Sequence, residues 1–194
     1  MRLILNIVLF LIAVGLGYAL YQSIKEPIAF GDELARREDI VVDRLKQIRT
    51  AQQLYRDAEG TEGFAKSFDS LTYVLREGRI PIVSITGDPD DPNFDGTITY
   101  DTTYVAAYDS IQVLGVNLDS LPYVPFGGGT FEIYADTTRY QSTLVDVVEV
   151  STRYRNFMGA YADERFQRYD SGYDPGALLK FGNRSTPSLS GNWE

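Results

Sequence analysis

The sequence lacks two residue types on which much of enzyme chemistry depends, because its 194 residues include no cysteine and no histidine. Without cysteine there is no disulfide framework, no thiolate zinc site and no cysteine nucleophile. Without histidine, the usual general base near neutral pH and the commonest metal ligand are missing. A Ser-His-Asp triad and a histidine-based metal centre are therefore excluded. We identify no catalytic residues and expect a protein that is not an enzyme.

Basic residues are absent from a long stretch, since no lysine or arginine lies between Arg79 and Arg139. Nine acidic residues fall in that stretch, and the net charge of the whole chain is −9. A nucleic-acid binder needs a basic face that neutralises phosphates. The charge distribution therefore argues against nucleic acid as a partner, and no small-molecule substrate is identified.

One long apolar run dominates the N-terminus, where residues 3–24 include no charged side chain. As a helix these residues span about 33 Å, which matches a hydrocarbon core of about 30 Å. Tyr18 and Tyr21 lie at interface depth. A cleavable signal peptide is the alternative, but its apolar region is usually only about 7–15 residues long. We therefore expect an uncleaved transmembrane anchor over residues 1–26.

Two helices are expected after the anchor. Pro27 removes a helix donor and predicts a break, and Asp32 is a suitable N-cap for a fresh helix that runs to about Ala58. Apolar residues at helical spacing form one stripe along it, which consists of Leu34, Val41, Leu45, Ile48 and Tyr55. A short second helix over residues 67–77 is capped by Ser67.

The hydrophobic period then changes from helical spacing to two, and β-branched and aromatic residues become frequent. This pattern predicts strands over residues 80–86, 97–107, 130–138, 144–154 and 178–181, with a short helix over 162–169. Helices followed by strands indicate an α+β domain, residues 27–181, in which the long amphipathic helix packs on an antiparallel sheet. Residues 182–194 are polar and are expected to form an extended tail.

This order of elements resembles type IV pilins and pseudopilins, in which an apolar N-terminal helix continues into an amphipathic half packed on an antiparallel sheet. The segment from Val41 to Tyr55, VVDRLKQIRTAQQLY, is similar to the helix of many pseudopilins. The exit through Gly60 and GFAKSFDSL (63–71) is similar too. The resemblance covers about residues 1–75 and implies a pilin-like fold with the domain outside the cytoplasm.

Two features of pilins are missing, namely a prepilin-peptidase site before the apolar run and the buried glutamate that pilins use in assembly. The whole chain, including Gly191-Asn192-Trp193-Glu194 at its end, more closely resembles an uncharacterised family of small membrane-anchored envelope proteins. We therefore expect a single-pass protein of the inner membrane with a periplasmic domain, rather than a filament subunit.

A half-matched calcium motif lies in the acidic stretch, where Asp91-Pro92-Asn93-Phe94-Asp95-Gly96 fits the first half of a D-x-[DN]-x-[DN]-G loop. Oxygen ligands at alternate positions suit a hard cation, so Asp91, Asn93 and Asp95 are candidate calcium ligands. The twelfth position is Thr102 and not the expected glutamate. The alternative is an acidic turn between strands.

Other short patterns are interpreted as structural. Two pairs of nearby carboxylates, Asp146 with Glu149 and Asp163 with Glu164, are expected to be solvated charges. The Gly127-Gly128-Gly129 run is interpreted as a turn and not a phosphate cradle, because no GK[ST] follows it.

Two functions are consistent with these observations. The first is a non-enzymatic, membrane-anchored component of a bacterial cell-envelope assembly for secretion, motility or adhesion, with the bilayer and other envelope proteins as partners. The second is an anchored extracytoplasmic module that binds a ligand or peptide, with calcium as a candidate cofactor. No other cofactor is expected.

Overall fold

A single helix, α1 (Arg2–Asp57), forms the axis of the protein. The computed structural model describes residues 2–86, 99–127 and 129–194. The helix continues through Pro27 without interruption, so the predicted break there, and the fresh start at Asp32, are wrong. Proline in a helix costs about 3 kcal/mol because it removes one hydrogen bond and crowds the preceding turn. Contacts made by the next turn, described below, offset that cost.

The remaining elements are an α+β set, as the sequence predicts. Two helices come early, α2 (Phe68–Glu77) and α3 (Ala107–Val113), and a third, α4 (Arg155–Met158), is one turn long. The strands are β1 (Arg79–Thr86), β2 (Thr99–Ala106), β3 (Glu132–Tyr140), β4 (Thr143–Arg153) and β5 (Leu178–Gly182). All five predicted strands are confirmed within a few residues. The predicted helix near 162–169 is a 3₁₀ turn (Glu164–Arg168).

The strands form two separate antiparallel sheets instead of one. The larger sheet has the order β3-β4-β5, and β4 is its centre. Six consecutive residues of β4, Val147 to Thr152, are buried, because both faces of this strand are covered. Among the described residues, the smaller sheet consists of β1 and β2.

The second half of α1 supplies one side of the hydrophobic core. Of the predicted stripe, Val41, Leu45 and Ile48 are fully buried. They join residues from α2, α3 and the larger sheet in one cluster, which includes Leu71, Leu75, Ile111, Val148, Val150, Leu179 and Phe181. The amphipathic prediction for this half of the helix is confirmed, and the burial of the stripe fixes how the domain lies along α1.

The loop after α1 is held by a buried amide. The Gln52 side chain donates to the Ala65 carbonyl at 3.1 Å and accepts from the Ala65 N–H at 2.9 Å. Gln52 is fully buried, so both backbone groups of Ala65 depend on it for their hydrogen bonds. Helix α2 begins directly after this loop, and Ser67 caps it by accepting from the Ser70 N–H at 3.2 Å. The predicted cap is confirmed.

The C-terminal residues fold back on β5. The Asn192 N–H donates to the Lys180 carbonyl at 3.0 Å, and the Glu194 carboxylate pairs with Arg49 of α1 at 2.7 Å. Residues 182–194 therefore pack against the domain, where the sequence suggested a separate extended tail.

Replacement of Gln52 by alanine should destabilise the domain by about 2–4 kcal/mol, because two buried backbone groups lose their partners. Gln53→Ala is the matched control, since Gln53 is the next residue of the same helix and is exposed. Urea unfolding of the detergent-solubilised chain, followed by the fluorescence of its single tryptophan, measures both variants. Equal midpoints for the two variants would contradict the assigned role of Gln52.

Candidate interaction surface

The β1–β2 pair forms a two-stranded ribbon whose base joins α2 and α3. At the base, the Ala107 N–H donates to the Gly78 carbonyl at 3.0 Å. Beyond the half-buried pair Ile80 and Val105, the described side chains of the ribbon are exposed. A two-stranded ribbon is at best marginally stable in water on its own, so this exposed pair of strands is a candidate binding surface.

The two faces of the ribbon differ in composition. Side chains alternate between faces along a strand, and the register pairs Ile85 with Tyr100, Val83 with Thr102, and Pro81 with Tyr104. These six side chains share one face, which we call the apolar ribbon face. Tyr100 is 64% exposed and Tyr104 is 49% exposed. Exposed tyrosines supply large, rigid contact area that retains a polar tip, which is typical of protein-binding surfaces.

The two edges of the ribbon differ as well. The bond between Ala107 and Gly78 fixes the pattern of the ladder, in which hydrogen-bonded and non-hydrogen-bonded pairs alternate. Residues 79, 81, 83 and 85 of β1 and 100, 102 and 104 of β2 therefore direct their backbone groups outward. On the β1 edge, the Arg79 carbonyl accepts from the Glu59 N–H at 2.8 Å, and Pro81 has no N–H to offer. The β1 edge is thus partly covered and blocked.

The β2 edge is open by comparison. Within residues 2–86, 99–127 and 129–194, no hydrogen bond reaches the outward N–H and C=O groups of Tyr100, Thr102 or Tyr104. Their side chains are exposed too. An edge strand with free backbone groups is a template for pairing with another strand.

The first half of α1 contains an apolar run, residues 3–24, that has apolar side chains on every side and is exposed along its whole length. Of the part of the chain that the structure describes, α1 is the one helix long and apolar enough to cross a membrane. A helix that is hydrophobic all round belongs in an apolar environment.

An aromatic cage holds α1 just after this apolar half. Phe30 is 1% exposed; its ring stacks on Phe166 at 5.1 Å and meets the edge of Tyr173 at 5.0 Å. The Tyr169 hydroxyl donates to the Glu26 carboxylate at 2.7 Å. The cage therefore attaches the C-terminal part of the domain to the turns of α1 on either side of Pro27.

Ion pairs continue this attachment along α1. Hydrogen bonds from Arg36 and Arg37 lower the pKa of Glu33 to about 2. Arg37 also donates to the Phe157 carbonyl at 2.6 Å. The Glu33 carboxylate thus orients an arginine that joins α1 to α4.

The candidate calcium ligands Asp91, Asn93 and Asp95 lie outside the described residues. Asp101, which is described, is exposed on β2. Within the described parts of the chain, no group of three or more acidic side chains is placed to hold a metal ion. The calcium hypothesis therefore stays a prediction.

Carboxylates from both of the pairs noted in the sequence make hydrogen bonds within the fold. Asp146 and Glu149 are three residues apart on β4, which places them on opposite faces. Asp146 accepts from the Thr137 hydroxyl at 2.9 Å. Asp163 accepts from the Arg165 N–H at 2.8 Å at the start of the 3₁₀ turn.

Glu149 is buried, so the expectation of a solvated charge is wrong for this residue. It sits at the centre of an ion-pair cluster with Lys180 at 2.6 Å and Arg184 at 2.7 Å. Burial alone would raise the pKa of Glu149, but the hydrogen bonds and charges of Lys180 and Arg184 outweigh it and hold the pKa below its ordinary value. The cluster ties the returning C-terminal segment to the sheet.

A surface groove of about 540 Å³ lies between α2, α3 and the loop after α3. Arg76 and Asp119 form an ion pair at 2.5 Å at its wall, and Tyr108, Gln112 and Asn117 contribute polar groups. Next to the glycine run, the Val124 N–H donates to the Gly129 carbonyl at 2.9 Å, and the interpretation of the run itself as a turn stays a prediction. Gly128 lies outside the described residues.

Comparisons with models of protein families, with curated proteins and with solved structures found no match for this chain.

The candidate binding surface on the β1–β2 ribbon could be predicted only in part from the sequence. The period of two predicts both strands of the ribbon and the shared side of Tyr100 and Tyr104. It does not show that this pair of strands stands apart from the other sheet. Pro81 is the local signal for a blocked edge, since proline within strands is confined to edges and bulges.

The Glu149 cluster should make the domain more stable above the ordinary glutamate pKa than below it. A lowered folded-state pKa means that the stabilisation is present above the unfolded value near 4.5 and is lost as the pH falls through the folded value. Glu149→Gln should therefore cost about 1–3 kcal/mol at pH 7 and flatten the acid side of the stability profile. Urea unfolding from pH 7 down to pH 3 measures the effect.

Glu164→Gln is the control for this experiment, because Glu164 is an exposed residue of the 3₁₀ turn. It should leave both stability and its pH dependence nearly unchanged. A Glu149→Gln profile parallel to that of the unmodified chain would contradict the role of the cluster.

Proposed function

We propose that this protein is a non-enzymatic, single-pass membrane protein that displays an interaction domain as part of a bacterial cell-envelope assembly. The observation that carries the proposal is the continuity of α1. One helix supplies an exposed apolar half of membrane-spanning length and, without a break, the core stripe of a folded domain.

The apolar half of α1 requires a solvent other than water. Its leucine, isoleucine, valine and phenylalanine side chains lie on all sides of the helix and are 46–74% exposed. Soluble monomers rarely show a continuous apolar surface of this size. A bilayer satisfies these side chains, and the helix satisfies its own backbone groups inside the bilayer.

The attachment of the domain to α1 supports a display role. Phe30 and Glu26 bind the C-terminal part of the domain within two turns of the apolar half. From Lys25 to Asp57 the helix then extends for about 50 Å. Because the helix runs from the apolar half into the domain without a break, we expect it to hold the domain, with the ribbon β1–β2, close to the bilayer surface from which it extends.

The proposed setting is the inner membrane, with the domain on the periplasmic side. The pilin-like order of elements supports this setting, as does the amphipathic half of α1 packed against helices and an antiparallel sheet. The absence of cysteine and histidine from the sequence supports a role in binding rather than in catalysis.

The second candidate function is an anchored module that binds a small ligand or peptide. The groove beside Arg76, Gln112 and Asn117 favours it, because a guanidinium group and two amides converge there. Calcium at Asp91, Asn93 and Asp95 would belong to this function. Titration calorimetry with Ca²⁺ on the solubilised chain tests the metal: no heat at millimolar Ca²⁺ would end the calcium hypothesis.

Charges placed in the apolar half should abolish membrane integration. We expect Leu11→Arg with Val14→Arg to shift much of the protein to the soluble or aggregated fraction, since each central arginine costs about 2.5–3.5 kcal/mol on insertion. Leu114→Arg with Val113→Arg is the matched control, because it makes the same two changes at exposed sites of the domain. Alkaline carbonate extraction, flotation of the extracted membranes away from aggregates, and immunoblotting measure both. Retention of the first variant in the extracted membranes would contradict a transmembrane helix.

A component of an assembly should be recovered with other proteins at fixed ratios. Crosslinking in intact cells, solubilisation and purification through a C-terminal tag should yield the same partner, in the same ratio, at different expression levels. Protease treatment of spheroplasts should cleave the domain if it is periplasmic. Recovery of this chain only as a monomer, or only with copies of itself, would overturn the assembly function.

A further inference from the structure

The ribbon presents one usable edge, and that edge is β2. Pro81 and the contact with Glu59 block the β1 edge. On β2, the backbone groups of Tyr100, Thr102 and Tyr104 point outward, and none of them is bonded within the described ranges. An added strand can therefore pair along β2 and cannot pair equally well along β1.

The sequence of β2 is suited to antiparallel pairing with itself. Outward-directed residues must face each other across such a pair. In the register with Thr102 facing Thr102 of the second copy, Tyr100 faces Tyr104 of that copy, and Asp101 faces Thr103. Aromatic cross-strand pairs are stabilising, and the two aspartates are kept apart.

The neighbouring registers are less favourable. A shift in one direction places Asp101 directly opposite Asp101 of the second copy, and like charges across a pair are destabilising. A shift in the other direction brings Ala106 into the pairing, but Ala106 is the N-cap of α3. The carbonyl of an N-cap residue is already used by the helix that it starts.

Pairing along β2 also extends the apolar ribbon face. In the paired sheet, the apolar faces of the two ribbons lie on the same side. Each copy contributes Val83, Ile85, Tyr100 and Tyr104 to this shared face. The product is a four-stranded sheet in the order β1-β2-β2-β1. A sheet of three or more strands with a hydrophobic face can be stable on its own, whereas an isolated two-stranded pair is at best marginally stable. Both copies lie in one membrane, which raises their effective concentration.

We propose that β2 is a self-association edge, through which two copies of this protein join their ribbons into one antiparallel sheet centred on Thr102. This inference rests on the proposed function, because it requires the ribbon to be displayed from the membrane. The partner at this edge is a second copy of the same chain; a strand from a different protein is an outcome that the experiments distinguish.

Single-cysteine crosslinking tests the register, and the native chain contributes no background because it has no cysteine. In the proposed register the Cα atoms of the two Thr102 residues are about 5.5 Å apart, within disulfide range. Those of the two Thr103 residues are about 8 Å apart, beyond that range. Mild oxidation of the full chain in membranes should convert Thr102→Cys to a covalent dimer and leave Thr103→Cys largely monomeric.

A proline variant tests the edge independently. Thr102→Pro removes an outward N–H and leaves the bonds between β1 and β2 intact, because Thr102 and Val83 form a non-hydrogen-bonded pair. Val83→Pro is the matched control, since it makes the same change on the opposite edge of the same pair. In detergent at low density, single-molecule photobleaching should show Thr102→Pro dimers weakened by about tenfold or more, with Val83→Pro unchanged.

Several results would overturn this inference. Equal crosslinking of Thr102→Cys and Thr103→Cys indicates random collision, and a Thr102→Cys adduct with another protein identifies a different occupant. Unchanged dimers in Thr102→Pro, or equal loss in both proline variants, would also count against the β2 edge. If envelope partners are still recovered at fixed ratio while β2 fails to pair, the self-association fails alone and the proposed function stands.

Discussion

The burial of one stripe of α1 is the constraint on which the rest of the fold depends. Val41, Leu45 and Ile48 are fully buried, and each of the other core elements packs around them. The side chains at these positions lie on one face because helical residues three and four apart are neighbours. The same helix shows no buried side between residues 2 and 24. One half of the helix thus suits an apolar environment, and the other half packs against the domain. The change between the two halves occurs near Phe30.

The aromatic cage explains why α1 does not break at Pro27. Proline costs the helix about 3 kcal/mol, which is comparable to the gain from burying one phenylalanine among aromatic rings. Phe30 lies inside the cage, one turn past Pro27 in the continuous helix. The contact between Glu26 and Tyr169 binds the preceding turn to the same part of the domain. The continuity of α1 through Pro27 is therefore a tertiary effect and not a property of its own sequence.

This division between local and distant causes accounts for what the sequence could predict. The five strands, the end of α1 and the Ser67 cap follow from neighbouring residues, and all were predicted. The uninterrupted helix depends on contacts between Phe30 and rings more than 130 residues away. The packed C-terminus depends likewise on Arg49 and Glu194, and the burial of Glu149 on Lys180 and Arg184. The candidate surface was visible as two strands, but its separation from the larger sheet was not.

The missing N–H of Pro81 makes the two edges of the β1–β2 ribbon differ in how well each can pair with another strand. Strands with free edges are a hazard for any protein, and natural sheets protect them with proline or covering segments. Here β1 has both protections, at Pro81 and at the contact with Glu59. A ribbon that stays unpaired would need similar protection on β2. The outward positions of β2 carry Tyr100, Thr102 and Tyr104, and none of them is a proline. The one charged residue of β2, Asp101, lies where it disfavours one register of self-pairing and permits another. Pairing at β2 therefore explains why the β1 edge is protected and the β2 edge is not.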